Sequence, residues 1–103
     1  MSVQAIKSAF EASPSTAMLE YAEQAYARWG AARIYIVIVE KAAAKLVKKA
    51  GFKLGPAYGV TESPVAYYAG YQHFEPRIAA KAMAIAAALK EAGINCYVDG
   101  QGD

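Results

Sequence analysis

The chain has 103 residues, of which 56% are hydrophobic and 19% are charged, and its formal net charge is +2. This length predicts a single domain over residues 1–103 that folds without disulfides or metals, and this composition excludes a disordered chain. The sequence has no signal-peptide pattern and no apolar run long enough to cross a bilayer, so we expect no membrane partner. The single cysteine, Cys96, cannot form an internal disulfide and suits a reducing compartment, which predicts a cytoplasmic protein.

Residues 1–30 predict a helical N-terminal segment that packs on the rest of the domain. A short helix is expected over residues 2–12, and Ser13-Pro14-Ser15 should end it. The same tripeptide offers a serine cap and a proline for the first turn of the next helix. Apolar residues at helical spacing from Met18 to Trp29 then predict a second helix with one buried stripe, ended by Gly30.

The middle of the chain holds the best strand and a lysine-rich helix. Residues 34–39 combine high strand propensity with no polar interruption, which predicts a central strand. After Glu40 the period becomes helical, with Leu46 and Val47 on the inward stripe and Gly51 as the stop. The following segment, residues 52–60, contains three glycine or proline residues and predicts only an irregular edge strand.

The last third predicts a strand, a long helix and a short final strand. Residues 65–72 favour a second good strand, and the long helix should run from Pro76 to about Ala92. No polar side chain occurs between Lys81 and Lys90, so this helix should be covered on more than one side, by the N-terminal helices or by a second subunit. Residues 94–98 predict the final strand, and residues 99–103 a frayed tail.

This order of elements predicts an α+β fold with two N-terminal helices followed by a ferredoxin-like βαββαβ unit and a mostly antiparallel sheet. The topology resembles that of RNA-recognition modules, in which aromatic residues on the two central strands stack on bases. That resemblance implies base stacking by Tyr35 and Tyr67. Residues 64–71 nevertheless lack the basic-glycine-aromatic order of that family's third-strand motif.

No set of residues in the sequence predicts catalysis, a metal site or a cofactor site. The single histidine, His73, has no identifiable orienting partner, and one histidine with one cysteine gives no zinc-ligand spacing. Residues 55–59 lack the lysine-serine pair of a phosphate-binding loop, and Asp99 and Asp103 form only an isolated pair of carboxylates. We therefore predict no catalytic residue, no metal ligand and no cofactor, with a small enzyme lacking a recognisable motif kept as an alternative.

Two sets of residues are candidates for an interaction surface. Five lysines and one glutamate lie between residues 40 and 53, and four of these lysines share one side of the predicted helix. The chain also has eight tyrosines, some of which should occupy the sheet face opposite the isoleucines of the central strand. The alternative interpretations are a solvated helix face and ordinary packing by the N-terminal helices. The candidate residues are Tyr35, Tyr67, Tyr71, Lys41, Lys45, Lys48 and Lys49.

These observations favour a small non-enzymatic binding protein that acts through protein-protein contact with a protein or nucleoprotein partner. In size and general profile it looks like the compact accessory or inhibitor proteins carried by phages and mobile elements, a class that includes anti-CRISPR proteins. The leading alternative is a nucleic-acid-binding module that uses the lysine-faced helix and the sheet tyrosines. A homodimer is expected if the sheet face or the alanine-rich helix stays uncovered within one chain.

Overall fold

The computed structural model of the chain describes residues 2–26, 32–52, 54–55, 65–70 and 76–102, and side chains within 2–25, 36–52 and 78–98. Helices and strands alternate in an α+β arrangement, which confirms the predicted class. None of the described helices is both long and apolar enough to span a membrane. The elements are α1 (Val3–Phe10), α2 (Thr16–Tyr26), β1 (Ala32–Ile38), α3 (Lys41–Lys49), β2 (Leu54–Gly55), β3 (Val65–Gly70), α4 (Pro76–Glu91) and β4 (Cys96–Gly102).

The four strands form one sheet in the order β2-β3-β1-β4, and each neighbouring pair is antiparallel. Strand β1 is central, as its apolar run predicts, although it begins at Ala32 and ends at Ile38. It pairs with β4 over its whole length in an unbroken register. Its register with β3 shifts between Ile34 and Tyr35, where β3 carries an extra residue.

The prediction of a complete ferredoxin-like βαββαβ unit is wrong, because the part of the chain that the structure describes contains no full β2 strand. Within the described residues β2 consists of Leu54 and Gly55 alone, whereas residues 52–60 were expected to supply an edge strand. Glycine weakens a strand and proline cannot donate to a ladder, and the pairing with β3 that the structure describes covers Leu54 and Gly55. The described strands of six or seven residues are β3, β1 and β4, and the structure supports the α+β class without the complete unit.

The predicted frayed tail is also wrong, because β4 continues to Gly102. Residues 99–102 have low intrinsic strand propensity, which is why a tail was expected. In the fold they stand opposite residues 32–35 of β1. The ladder satisfies backbone groups that a frayed end would leave to water, and this pairing outweighs local propensity.

Helix α4 occupies the middle of the helical layer. One side contacts β1, β3 and β4, and the other contacts α1 and α2. Ala84 is only 5% exposed, and Ala88 is half-buried. The prediction that this helix is covered on more than one side is confirmed, and the N-terminal helices provide the outer cover. A single hydrophobic core joins α4 to Ile36 and Ile38 of β1.

Serine residues cap the N-terminal ends of α1 and α2. The Ala5 amide donates to Ser2 Oγ at 3.1 Å, and the Met18 amide donates to Ser15 Oγ at 3.2 Å. Pro14 therefore precedes the cap of α2 rather than standing in its first turn. The Lys81 ammonium of α4 donates a hydrogen bond to the Ala12 carbonyl between these helices, which attaches the connection to the rest of the domain.

Candidate interaction surface

Helix α3 has a well-defined end that fixes where its lysines lie. Gly51 adopts a φ of 104°, and its amide donates to the Lys48 carbonyl at 3.0 Å. The Phe52 amide donates to the Val47 carbonyl at 3.4 Å, which completes a Schellman motif. Lys48 and Lys49 consequently lie in the last turn, where the helix dipole favours positive charge.

One side of α3 is buried and the opposite side carries the lysines. Ala43, Ala44 and Val47 are at most 5% exposed and belong to the hydrophobic core. The four predicted lysines are all exposed, so the prediction that they project away from the core is confirmed. No ion pair involves them among the residues that the structure describes. We call Lys41, Lys45, Lys48 and Lys49 the lysine face.

The helix that presents the lysine face is held by packing at its C-terminal end. The rings of Phe10 and Phe52 stack with centroids 3.8 Å apart and planes inclined by 16°. This contact joins the end of α1 to the residue that closes α3, and α3 also contacts β1. The lysine face therefore stands on an element fixed by the core rather than on a loop.

The sheet register separates the tyrosines that the sequence grouped together. Tyr67 stands opposite Ile36, whereas Tyr35 stands opposite Tyr68. Directly opposed residues of an antiparallel pair share a face. Because Ile36 is fully buried under the helices, the register position of Tyr67 belongs to the helix-covered face. Tyr35 and Tyr68 occupy positions on the other face, and Tyr71 is outside the described residues.

The sheet face away from the helices is not open at Val37 and Val39. Val37 on this face is fully buried, and Val39 is half-buried. An uncovered face of tyrosine and valine was expected here. The opposing residue on β4, Tyr97, is 40% exposed. Tyr97 is not among the residues predicted from the sequence, although the alternation of Cys96, Tyr97 and Val98 is a signal that places it on this face.

The lysine face and Tyr97 lie on opposite sides of the sheet. Helix α3 packs on the Ile36 and Ile38 side, whereas Tyr97 opposes Val37 on the other side. A single straight segment of a partner molecule cannot contact both the lysine face and Tyr97 without passing around the sheet. The lysine face and Tyr97 therefore do not form one continuous surface.

The described side chains also include a buried thiol. Cys96 Sγ lies 3.5 Å from the Ala86 carbonyl oxygen, inside the core. Burial raises the pKa of this thiol, and the nearby Lys90 ammonium only partly opposes that effect. The thiol therefore stays protonated near neutral pH and reacts slowly. His73 is outside the described residues, and within them no three histidine, cysteine, aspartate or glutamate residues are arranged to hold a metal ion.

A shallow groove of about 340 Å³ runs between α1 and α4. Its lining is mostly alanine, with one hydroxyl from Ser8 and one carboxylate from Glu91. A hydroxyl and a carboxylate without a described base or electrophilic group do not make a catalytic set. The groove residues are Ala5, Ser8, Ala9, Ala88, Glu91 and Ala92.

Comparison with known proteins gives no relative: no family model, no curated protein sequence and no solved structure matches this chain.

Proposed function

We propose that this chain is a small non-enzymatic binding protein that contacts a protein or nucleoprotein partner through the lysine face. The observation that carries the proposal is the exposure of four ammonium groups on one side of α3, without an acidic partner among the described residues. Four unpaired like charges on a fixed helix repel one another slightly. An acidic partner surface would relieve that repulsion and gain electrostatic attraction.

The distribution of charge favours an acidic protein surface over a nucleic acid. The net charge is only +2 and the sequence pI is about 8.7, whereas nucleic-acid-binding domains commonly have a pI above 9. Four exposed glutamates stand on or beside the other helices, and they would repel an extended polyanion. They are Glu11, Glu20, Glu23 and Glu91. A local positive surface suits an acidic patch of limited size.

The role that fits such a surface is that of an accessory or inhibitor protein of the kind carried by phages and mobile elements, acting in the cytoplasm. Occupying an acidic surface on a larger partner needs no catalytic group. A lone thiol kept reduced and buried, as at Cys96, suits a reducing compartment.

Charge reversal on the lysine face tests the proposal. The double variant Lys45→Glu/Lys48→Glu should lose a partner that wild-type protein captures from nuclease-treated lysate, and its association rate with the purified partner should fall most at low salt. The matched control is Lys7→Glu/Lys90→Glu, which makes the same charge change at exposed positions on α1 and α4. The control should keep the partner.

Equal loss of partner in both double variants would show that only net charge matters and would contradict the proposal. A parallel titration with single- and double-stranded oligonucleotides tests the alternative that the lysine face binds a nucleic acid. Saturable oligonucleotide binding that weakens steeply with salt and disappears in Lys45→Glu/Lys48→Glu would instead identify a nucleic-acid-binding face.

A further inference from the structure

The two edges of the sheet differ in how they are protected. At one edge the described part of β2 has two residues, whereas at the other edge β4 has seven. Natural edge strands are usually protected from pairing with other chains by shortness, proline, lysine or a bulge. Strand β4 contains no proline, lysine or arginine, and its register with β1 has no irregularity. No further strand pairs with it among the described residues, so β4 is the edge that favours addition of a strand.

One hydrogen bond identifies which β4 backbone groups point outward. The Val39 amide donates to the Asn95 carbonyl at 3.1 Å, and the register of β1 with β4 places these two residues opposite each other. Hydrogen-bonded and non-hydrogen-bonded pairs alternate along an antiparallel ladder. The amides and carbonyls that point away from β1 therefore belong to Cys96, Val98, Gly100 and Gly102.

The usable part of this edge begins at Val98. Cys96 is only 2% exposed, so its outward backbone groups are already covered. Val98 is half-buried, and the next two outward positions are Gly100 and Gly102. Glycine in a strand often marks a place where another backbone approaches closely. Outward groups at three alternate positions provide up to six hydrogen bonds to an added strand.

We propose that β4 pairs antiparallel with β4 of a second copy across a two-fold axis, with Gly100 opposite its own symmetry mate. Outward groups must meet outward groups, and this register joins Val98 of one copy to Gly102 of the other. It also sets Asp99 opposite Gln101 twice, which pairs a carboxylate acceptor with an amide donor. The two sheets become one continuous sheet, and the contact is self-complementary, as a two-fold interface requires.

The neighbouring registers are less favourable. Centring the pair on Asp99 would oppose two carboxylates directly, which is destabilising. It would also require the backbone groups of Cys96, which are buried. Centring the pair on Val98 requires the same buried groups. Charge and burial therefore favour the register centred on Gly100 over these two. This dimer does not involve the lysine face, so either proposal can fail without the other.

The variant Gly100→Pro tests the backbone pairing directly. Proline removes an outward amide donor at the centre of the contact but leaves the amides of Tyr97, Asp99 and Gln101 to bond β1. We expect wild-type protein to show a concentration-dependent dimer by sedimentation equilibrium. The dimer dissociation constant should rise by at least about tenfold in Gly100→Pro, because both copies lose a central donor. Circular dichroism checks that the variant folds.

Two charge variants test the register without touching the backbone. Gln101→Lys sets a cation opposite Asp99 at both ends of the contact, and Gln101→Asp sets a carboxylate there. We expect the dissociation constant to fall by about threefold to tenfold in the first and to rise by a similar factor in the second. If Gly100→Pro does not fold, the two Gln101 variants still test whether β4 pairs with its copy in this register.

Two results would overturn the proposal. One is a wild-type protein that stays monomeric at all concentrations, which would leave the β4 edge to an extended segment of another protein. The other is a dimer whose dissociation constant is the same in Gly100→Pro, Gln101→Lys and Gln101→Asp, because such a dimer would use a different surface.

Discussion

Helices α3 and α4 are built from similar residues but have opposite relations to solvent. Both are rich in alanine, and both end in a Schellman motif closed by a glycine at positive φ, 104° at Gly51 and 91° at Gly93. Helix α3 buries one stripe and exposes four lysines, whereas α4 is covered by the sheet on one side and by α1 and α2 on the other. The placement of charged residues, not helix propensity, decides which helix becomes a surface and which becomes core.

The largest expected effect is in α4. Ile85 is only 4% exposed and lies in the hydrophobic core, so Ile85→Ala should lower the free energy of unfolding by about 2 to 5 kcal/mol. Lys45 on α3 is exposed, so Lys45→Ala should change the free energy of unfolding by less than about 0.5 kcal/mol. Urea denaturation of both variants measures the contrast. Similar effects at the two positions would show that α3 and α4 do not differ as described.

A smaller effect is expected at the glycines that end the two helices. Replacing Gly51 by alanine forces a side chain into a left-handed backbone region, but a Cβ there would meet no atom within 4 Å. The cost should therefore come from the backbone alone, about 1 kcal/mol or slightly more in the free energy of unfolding. Gly93→Ala should cost a similar amount if the two helix ends are equivalent. A negligible cost at Gly51 would contradict the left-handed conformation.

The smallest effect concerns repulsion within the lysine face. Lys45 stands four residues from both Lys41 and Lys49, a spacing at which like charges destabilise a helix by about 0.2 to 0.5 kcal/mol per pair. Lys45→Gln should therefore raise the free energy of unfolding by a few tenths of a kcal/mol at low salt. The gain should disappear at high salt, where exposed charges are screened. The control Lys7→Gln on α1 has no such neighbours and should show no gain.

Local patterns identified the helices well because helical periodicity is contained within one segment. The stripe that includes Ala43 and Val47 determines which side of α3 is buried, and the lysines then follow by geometry. The tyrosines could not be assigned in this way, since a strand has two equivalent faces. A shift of one residue in the pairing register exchanges the two faces. Whether Tyr67 or Tyr68 stands on the helix-covered face therefore depends on the pairing of β3 with β1.

The two errors in the sheet have related causes. Glycine and proline near Gly55 indicate a weak β2, and within the described residues only Leu54 and Gly55 pair with β3. Glycine and aspartate near Gly100 favoured a tail, but contact with β1 stabilises a strand there. In both places the fold depends on a neighbour distant in sequence, and intrinsic propensity is a weak guide to such pairing.

The hydrogen bond from the Lys81 ammonium to the Ala12 carbonyl couples the two N-terminal helices to the same point on α4. Ala12 lies in the connection between α1 and α2, so this bond is an attachment that the two helices share, in addition to the packing of each on α4. Amide hydrogen exchange in the two helices should then report one shared opening rather than two independent ones. Residues 2–26 would then respond as one cooperative unit, attached to the core by this bond and by the packing of both helices on α4.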